Sequence, residues 1–431
     1  MQLFKLFQPR QLKIGIIKII KRNSGIQKHP KNVDIMVKMR PKLKIRNPFR
    51  SLNKSKKGRN SYKHVKGKNI LTPLWFLIPH GISGRIFLLS IILTFLGLLF
   101  IADVSAPEAI SVFQDEFYYA KQQFVWGIVG IAAMFVVSNI KVSFWEKWST
   151  PIFVLSLILL LLVLIPGLSV KVLGARRWLN LGPVRLQPSE FLKLGLVLYF
   201  AKLAKNSKRL MSYVIPLAIV ALLIMFQPDL GTTLVVSIIG LSQILISGVG
   251  MMSMVPLVIG SVLLALFFIF SSDYRRQRLM SFIDPLSDVQ GGSYHIQQII
   301  FALASGGLFG LGLGQSKQKY LFLPEASTDS IFAIIGEEIG FFGSCAILIL
   351  YLILLINMFA VIKKTTNSYS RVLAVGITSW LGSQTLINLG SIVSAIPFTG
   401  VPLPFLSYGG SSLVALLTAT GIIISIAKEN E

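Results

Sequence analysis

Ten stretches of nearly pure hydrocarbon, most close to the ~20 residues a helix needs to cross a bilayer core, constrain this chain more than any other feature. They are expected at about 86–102, 124–140, 151–167, 188–204, 210–226, 230–248, 252–270, 338–360, 372–391 and 409–427. Only 14% of the residues are charged, against about 25% in an ordinary soluble domain. Soluble helices alternate apolar and polar faces, and these stretches do not. The fold class that follows is an all-α polytopic membrane protein.

Orientation is read from Lys and Arg in the short loops. Residues 1–85 hold 22 of the 43 Lys and Arg but a single acid, Asp34, so this basic tail is assigned to the cytoplasm. The same side receives Lys141 and Lys147, then Lys202, Lys205, Lys208 and Arg209, then Lys363, Lys364 and Arg371, and finally Lys428. The acidic loop with Asp103, Glu108, Asp115 and Glu116 falls outside, and ten spans return both termini to the cytoplasm. The basic N-terminus lacks the short apolar region and cleavage site of a secretory signal. The single cysteine, Cys345, excludes an intrachain disulfide, and four scattered histidines give no zinc-binding spacing.

Two outer loops depart from the charge rule. Loop 168–187 carries Lys171, Arg176, Arg177 and Arg185; the large loop 271–329, between the seventh and eighth spans, carries Arg275, Arg276, Arg278, Lys317 and Lys319. Ion pairing between loops would account for such cations. So would an anionic ligand on the outer face, most naturally a phosphorylated lipid headgroup. The large loop ends in FLPEASTDSIFAIIGEEIG (322–340), which sets Glu325, Asp329, Glu337 and Glu338 against hydrocarbon. Ser330 to Ile362 contains no proline and reads as one helix of about 50 Å, long enough for its first turns to stand above a core of about 30 Å. Asp329 then sits at a helix start, where the dipole favours an acid. Gln187-Pro188-Ser189-Glu190 and Gln227-Pro228-Asp229 are two more helix starts. Lys193 follows Glu190 at i+3, and an intramembrane ionisable pair is a functional-site candidate. Glycine-dense loop strings, SGGLFGLGLGQS among them, point to close backbone packing or re-entrant segments.

Taken in order, GARRWLNLGPVRLQPSEFLKL (174–194), QPDLGTT (227–233), GGSYHIQQ (291–298), SGGLFGLGLGQS (305–316), LPEASTDSIFAIIGEEIGFFG (323–343) and PFLSYGGSSL (404–413) resemble the SEDS family of shape, elongation, division and sporulation proteins. The resemblance covers about residues 84–428, and LGLGQS with PLPFLSYGGSS is closer to its FtsW and SpoVE division branch than to RodA. It implies a membrane domain over 86–428 that polymerises lipid II, an undecaprenyl-diphosphate-linked disaccharide peptide, at the outer face of the bacterial cytoplasmic membrane. By the same resemblance the family's essential catalytic aspartate falls on Asp329. Arg177, Glu190 and Lys193 match the family's charged residues around the fourth span, Asp229 its QPDLGT aspartate, and Gln298 the glutamine after its GxY motif. Ser327 stands where the family has histidine, Ser330 where it has phenylalanine, and Leu321 where an acid is common.

The implied reaction has an acceptor hydroxyl attack the donor's anomeric carbon, with inversion and loss of undecaprenyl diphosphate. A carboxylate base suits this, with Asp329 in that role. Arg177 and Lys193, then Arg276 and Arg278, would stabilise the leaving diphosphate. Glu190 would orient Lys193, Gln298 would join the substrate-binding set, and Asp229, Glu325 and Glu337 would support them. A divalent cation (Mg or Mn) is compatible with the diphosphate, though no ligand cluster specifies one. A lipid II flippase and an ion-coupled transporter use similar features; acids clustered at outer span ends argue against the transporter. The resemblance also implies a class B penicillin-binding protein as crosslinking partner and further division proteins. The basic tail (1–85) reads as disordered or lying on the inner leaflet, with no nucleic-acid-binding module.

Overall fold

The computed structural model describes residues 81–431 apart from 173, 174, 181, 183, 184, 272 and 285–291. The expectation for the tail falls outside the described residues. The helices run α1 (Gly81–Val104), α2 (Ala106–Phe113), α3 (Tyr118–Val137), α4 (Val142–Leu162), α5 (Pro188–Asn206), α6 (Met211–Met225) and α7 (Leu230–Ile246). They continue as α8 (Met251–Phe270), α9 (Asp273–Ile283), α10 (Gly292–Gly306), α11 (Ile331–Lys364), α12 (Ser368–Ile392) and α13 (Gly410–Asn430).

Each expected span coincides with one helix of the ten-membered set α1, α3 to α8 and α11 to α13. Seven are long and apolar enough to cross a membrane by length and composition. Of the other three, α6 and α7 are shorter apolar helices, and α5 carries Glu190, Lys193, Lys202 and Lys205. In the core, α13 packs on α1 and α3, while α5 packs on α4, α7 and α12. α12 and α13 are buried almost all round, whereas α8 buries Met254 alone. One end of the bundle gathers the loops expected to be cytoplasmic. There the Glu431 carboxylate accepts from Ile82 N at 2.6 Å and Ser83 N at 2.9 Å, joining the start of α1 to the end of α13. Lys205 meets Glu146 at 2.5 Å and Lys428 meets Asn139 at 3.0 Å at that same end.

Two features were not foreseen in the sequence. Loop 168–187 contains a three-stranded antiparallel sheet, β1 (Ser169–Val172), β2 (Ala175–Asn180) and β3 (Arg185–Leu186), whose ladder satisfies backbone groups beside the bundle. The second correction concerns α11, which is broken at Gly340 (φ +68°, ψ −169°) rather than continuous. Backbone of the preceding glycine-rich loop fills the break. Leu311 N donates to Glu337 O (3.0 Å) and Gly312 N to Glu338 O (3.0 Å), while Phe341 N donates to Gly307 O (3.0 Å) and Phe342 N to Leu308 O (3.2 Å). Two carbonyls and two amides at the kink thereby find partners in the loop. A side chain at Gly340 would collide with the backbone of Phe309 and Gly310, so the positive φ and the close approach both require glycine. Below the break, 341–364 spans about 36 Å, close to a hydrocarbon core of about 30 Å.

Candidate active site

Three helix starts converge on one cavity of about 770 Å³. At the start of α5, Pro188 occupies the first turn with Glu190, and Lys193 lies one turn deeper. Lys193 Nζ is 2.9 Å from Glu190 Oε1 and donates to Gln384 Oε1 at 3.1 Å, with the Trp380 ring centre 4.9 Å away. Gln384 in turn accepts from Trp380 Nε1 (2.8 Å) and donates to Pro402 O (3.0 Å). Both charged side chains are only 3% exposed, so they neutralise one another where solvent does not reach.

At the start of α7, Asp229 caps the helix, accepting from Thr232 N and Thr232 Oγ1, both at 2.9 Å. Arg177 reaches this turn from β2. Its Nη2 donates to Pro228 O (2.6 Å) and its Nε to Gln227 O (3.3 Å), with Nε 3.7 Å from Asp229 Oδ2. The sheet thus serves to carry a cation to the cavity wall.

At the start of α11, segment 327–329 is gripped from behind through its carbonyls. Tyr408 N donates to Ser327 O (3.0 Å), Ser407 Oγ to Thr328 O (2.5 Å) and Asn388 Nδ2 to Asp329 O (2.8 Å). That leaves the Asp329 carboxylate on the cavity wall. It lies against Gly400, where an added Cβ would be 3.2 Å from Oδ2. Desolvation, first, and the neighbouring acids Glu325 and Asp229 push the carboxyl up to about 7, against the pull of Arg278 and Arg177. Such a group is part carboxylate, part acid near neutral pH, the range in which a general base works best.

Of the residues singled out in the sequence, the cavity lining brings together Arg177, Glu190, Lys193, Asp229, Arg278, Glu325 and Asp329. Arg276, Gln298 and Glu337 are not part of it. Arg276 is exposed on α9 and Gln298 half-buried on α10. Glu337 is buried beneath the large loop, accepting from Ser316 Oγ (2.5 Å), Lys317 N (3.1 Å) and Ser305 Oγ (3.3 Å). Beside it Lys319 joins Asp103 (2.7 Å) and Glu338 (3.2 Å). Helical geometry explains the divergence: Glu337 lies more than two turns below Asp329, on the side facing the loop.

The sequence reading missed Gln384, Asn388 and His295. The first two stand four residues apart on apolar α12, so they share a face. Polar residues at that spacing in a buried helix were the available signal. His295 lines the cavity from α10 and had no such mark. Among the described residues no three His, Cys, Asp or Glu side chains converge as metal ligands.

Known proteins match this arrangement over most of the chain. The family model FTSW_RODA_SPOVE, described as "Cell cycle protein", matches residues 84–431. Stage V sporulation protein E of Bacillus subtilis is 39% identical over 351 residues, covering 79% of this chain and 95% of that protein. A probable peptidoglycan glycosyltransferase FtsW of Geobacter metallireducens is 35% identical over 350 residues, covering 79% and 93%. Among solved structures, Thermus thermophilus rod shape determining protein RodA superposes with a TM-score of 0.60 at 27% identity, covering 84% of this chain and 99% of that one. A chain from "Structural coordination of polymerization and crosslinking by a peptidoglycan synthase complex" superposes with a TM-score of 0.63 at 28% identity, covering 78% and 97%. With the match running from α1 to the end of α13, the chain belongs to the FtsW/RodA/SpoVE family of cell cycle proteins.

Proposed function

We propose that this protein is a peptidoglycan glycosyltransferase that joins lipid II units into glycan strands at the outer face of the bacterial cytoplasmic membrane. The observation that carries the reading is the Asp329 carboxylate, pushed up to about 7 on the wall of a cavity that also holds Arg177 and Arg278.

In the reaction the 4-hydroxyl oxygen of the acceptor sugar forms a bond to the donor's anomeric carbon. The bond from that carbon to the diphosphate oxygen breaks from the opposite face, so configuration inverts. Asp329 takes the hydroxyl proton, and undecaprenyl diphosphate departs with the bonding electrons. A positioned base of this kind contributes about 10²–10⁴-fold. Charge develops on the diphosphate, and fixed cations in a secluded cavity stabilise it. Arg177 and Arg278 serve there. Lys193 is already neutralised by Glu190 and held by Gln384, so this pair shapes the inner wall rather than meeting the diphosphate as a bare cation. Glu325 and Asp229 act mainly by keeping Asp329 basic. A divalent cation would supply further charge to the diphosphate, but among the described residues no three carboxylates or histidines converge to hold one.

The similarity to FtsW and SpoVE proteins favours a role in division, and the complex named above favours a crosslinking partner of the penicillin-binding class. Both termini would then face the cytoplasm. The test is polymerisation of labelled lipid II in liposomes with the cognate transpeptidase. Wild type should give long glycan, and folded Asp329→Asn none. Absence of glycan from wild type while lipid II still crosses the bilayer would identify a flippase instead.

A further inference from the structure

The hydroxyl of Ser330 behaves unusually for its position. Ser330 is the N-cap residue of α11, where serine ordinarily turns its oxygen onto an amide of the first turn. It makes no such bond. Its Oγ, fully buried, lies instead 2.8 Å from His295 Nε2 on α10. The same imidazole packs against Phe398, ring centres 4.2 Å apart. Arg278 lies over that phenylalanine at 5.7 Å and donates to its carbonyl at 3.3 Å. Phe398 stands two residues before Gly400, the residue in contact with the Asp329 carboxylate.

We propose that His295 is a positioning residue for Asp329. Through the Ser330 hydroxyl it fixes the start of α11, and through the Phe398 ring it fixes the turn that closes on the Asp329 carboxylate. One side chain on the large loop therefore sets both walls between which the base is held. Burial and the nearby Arg278 guanidinium push the imidazole down to about 4, so it stays neutral at working pH and adds no charge that would draw Asp329 towards the acid range. His295 holds the base; it does not replace it. An ordered α10 is consequently a condition for a correctly aimed carboxylate, which ties the large loop to the chemistry.

This inference rests on the polymerase reading. It is tested by steady-state lipid II polymerisation with the cognate transpeptidase present, comparing wild type, His295→Ala, His295→Gln, Ser330→Ala and the double variant His295→Ala/Ser330→Ala. A misplaced base costs up to about 10²-fold, so His295→Ala should lower kcat by about tenfold to a hundredfold with little change in KM. Glutamine, which can still bond Ser330, should restore much of the loss. The double variant should fall no further than His295→Ala alone, because Ser330 acts through the bond that His295→Ala already removes. Normal kcat in His295→Ala would overturn the proposal, as would losses that multiply in the double variant. If His295→Ala does not yield folded protein, Ser330→Ala and His295→Gln decide alone: a lowered kcat in the first and near-normal kcat in the second support the bond, and the reverse pattern refutes it. A wild type that makes no glycan refutes the polymerase reading instead, which keeps the two failures distinct.

Discussion

Asp329→Asn should make the protein more stable at alkaline pH while removing its activity. A carboxyl raised from its ordinary 3.8 to about 7 is protonated in the folded chain and ionised in the unfolded chain between those values. Stability must therefore fall as pH rises through that window and level off above it. The full span corresponds to about 4 kcal/mol, an upper bound for a half-buried group. Asparagine cannot ionise, so the variant escapes this penalty. Thermal unfolding followed by tryptophan fluorescence in detergent, from pH 4.5 to 8.5, should show the curves of wild type and variant converging at the acid end. Above pH 7 the variant should melt higher. In parallel, wild-type turnover should rise about tenfold per pH unit below 7 and flatten above, as for a reaction that needs the carboxylate form. A variant that melts at or below wild type at pH 8 would refute the reasoning: Asp329 would then be a stabilising helix-start acid, not a strained base.

Three further outcomes follow from particular contacts. Lys193→Met leaves Glu190 charged and unpartnered inside the bundle and should cost about 3–5 kcal/mol, with partial recovery in the Lys193→Met/Glu190→Gln double variant; paired melting curves check this. Arg177→Ala removes a cation from the cavity wall and should lower kcat by about 10²–10³-fold, read in the lipid II assay. Gly340→Ala should abolish the monodisperse peak on size-exclusion chromatography, because the new methyl group meets the backbone of Phe309 and Gly310.

The spans were legible because hydrocarbon runs have one physical use, and each coincides with a helix of the structure. Asp329, Arg177 and the Glu190–Lys193 pair were legible because charge beside lipid demands a partner or a purpose. The division of labour among the acids was not. Glu337 and Glu338 look equivalent to Asp329 in a string of letters, yet they hold the loop through Ser316, Lys317 and Lys319. Only the helical turn between them decides which way each points. The break at Gly340 was hidden for a related reason: its stabilising backbone carbonyls (Gly307, Leu308) and amides (Leu311, Gly312) come from a preceding loop, and such pairing leaves no local pattern. His295 belongs to the same class, since its value lies in reaching Ser330 from another helix.

The stitched break in α11 has a mechanical consequence. A continuous rod from Ile331 to Lys364 would transmit any bilayer thinning or lateral pressure straight to its tip. Here the loop of residues 307–312 bonds Glu337 and Glu338 above Gly340 and Phe341 and Phe342 below it. Load on the shaft is therefore shared with the loop at this joint before it reaches the Asp329 end.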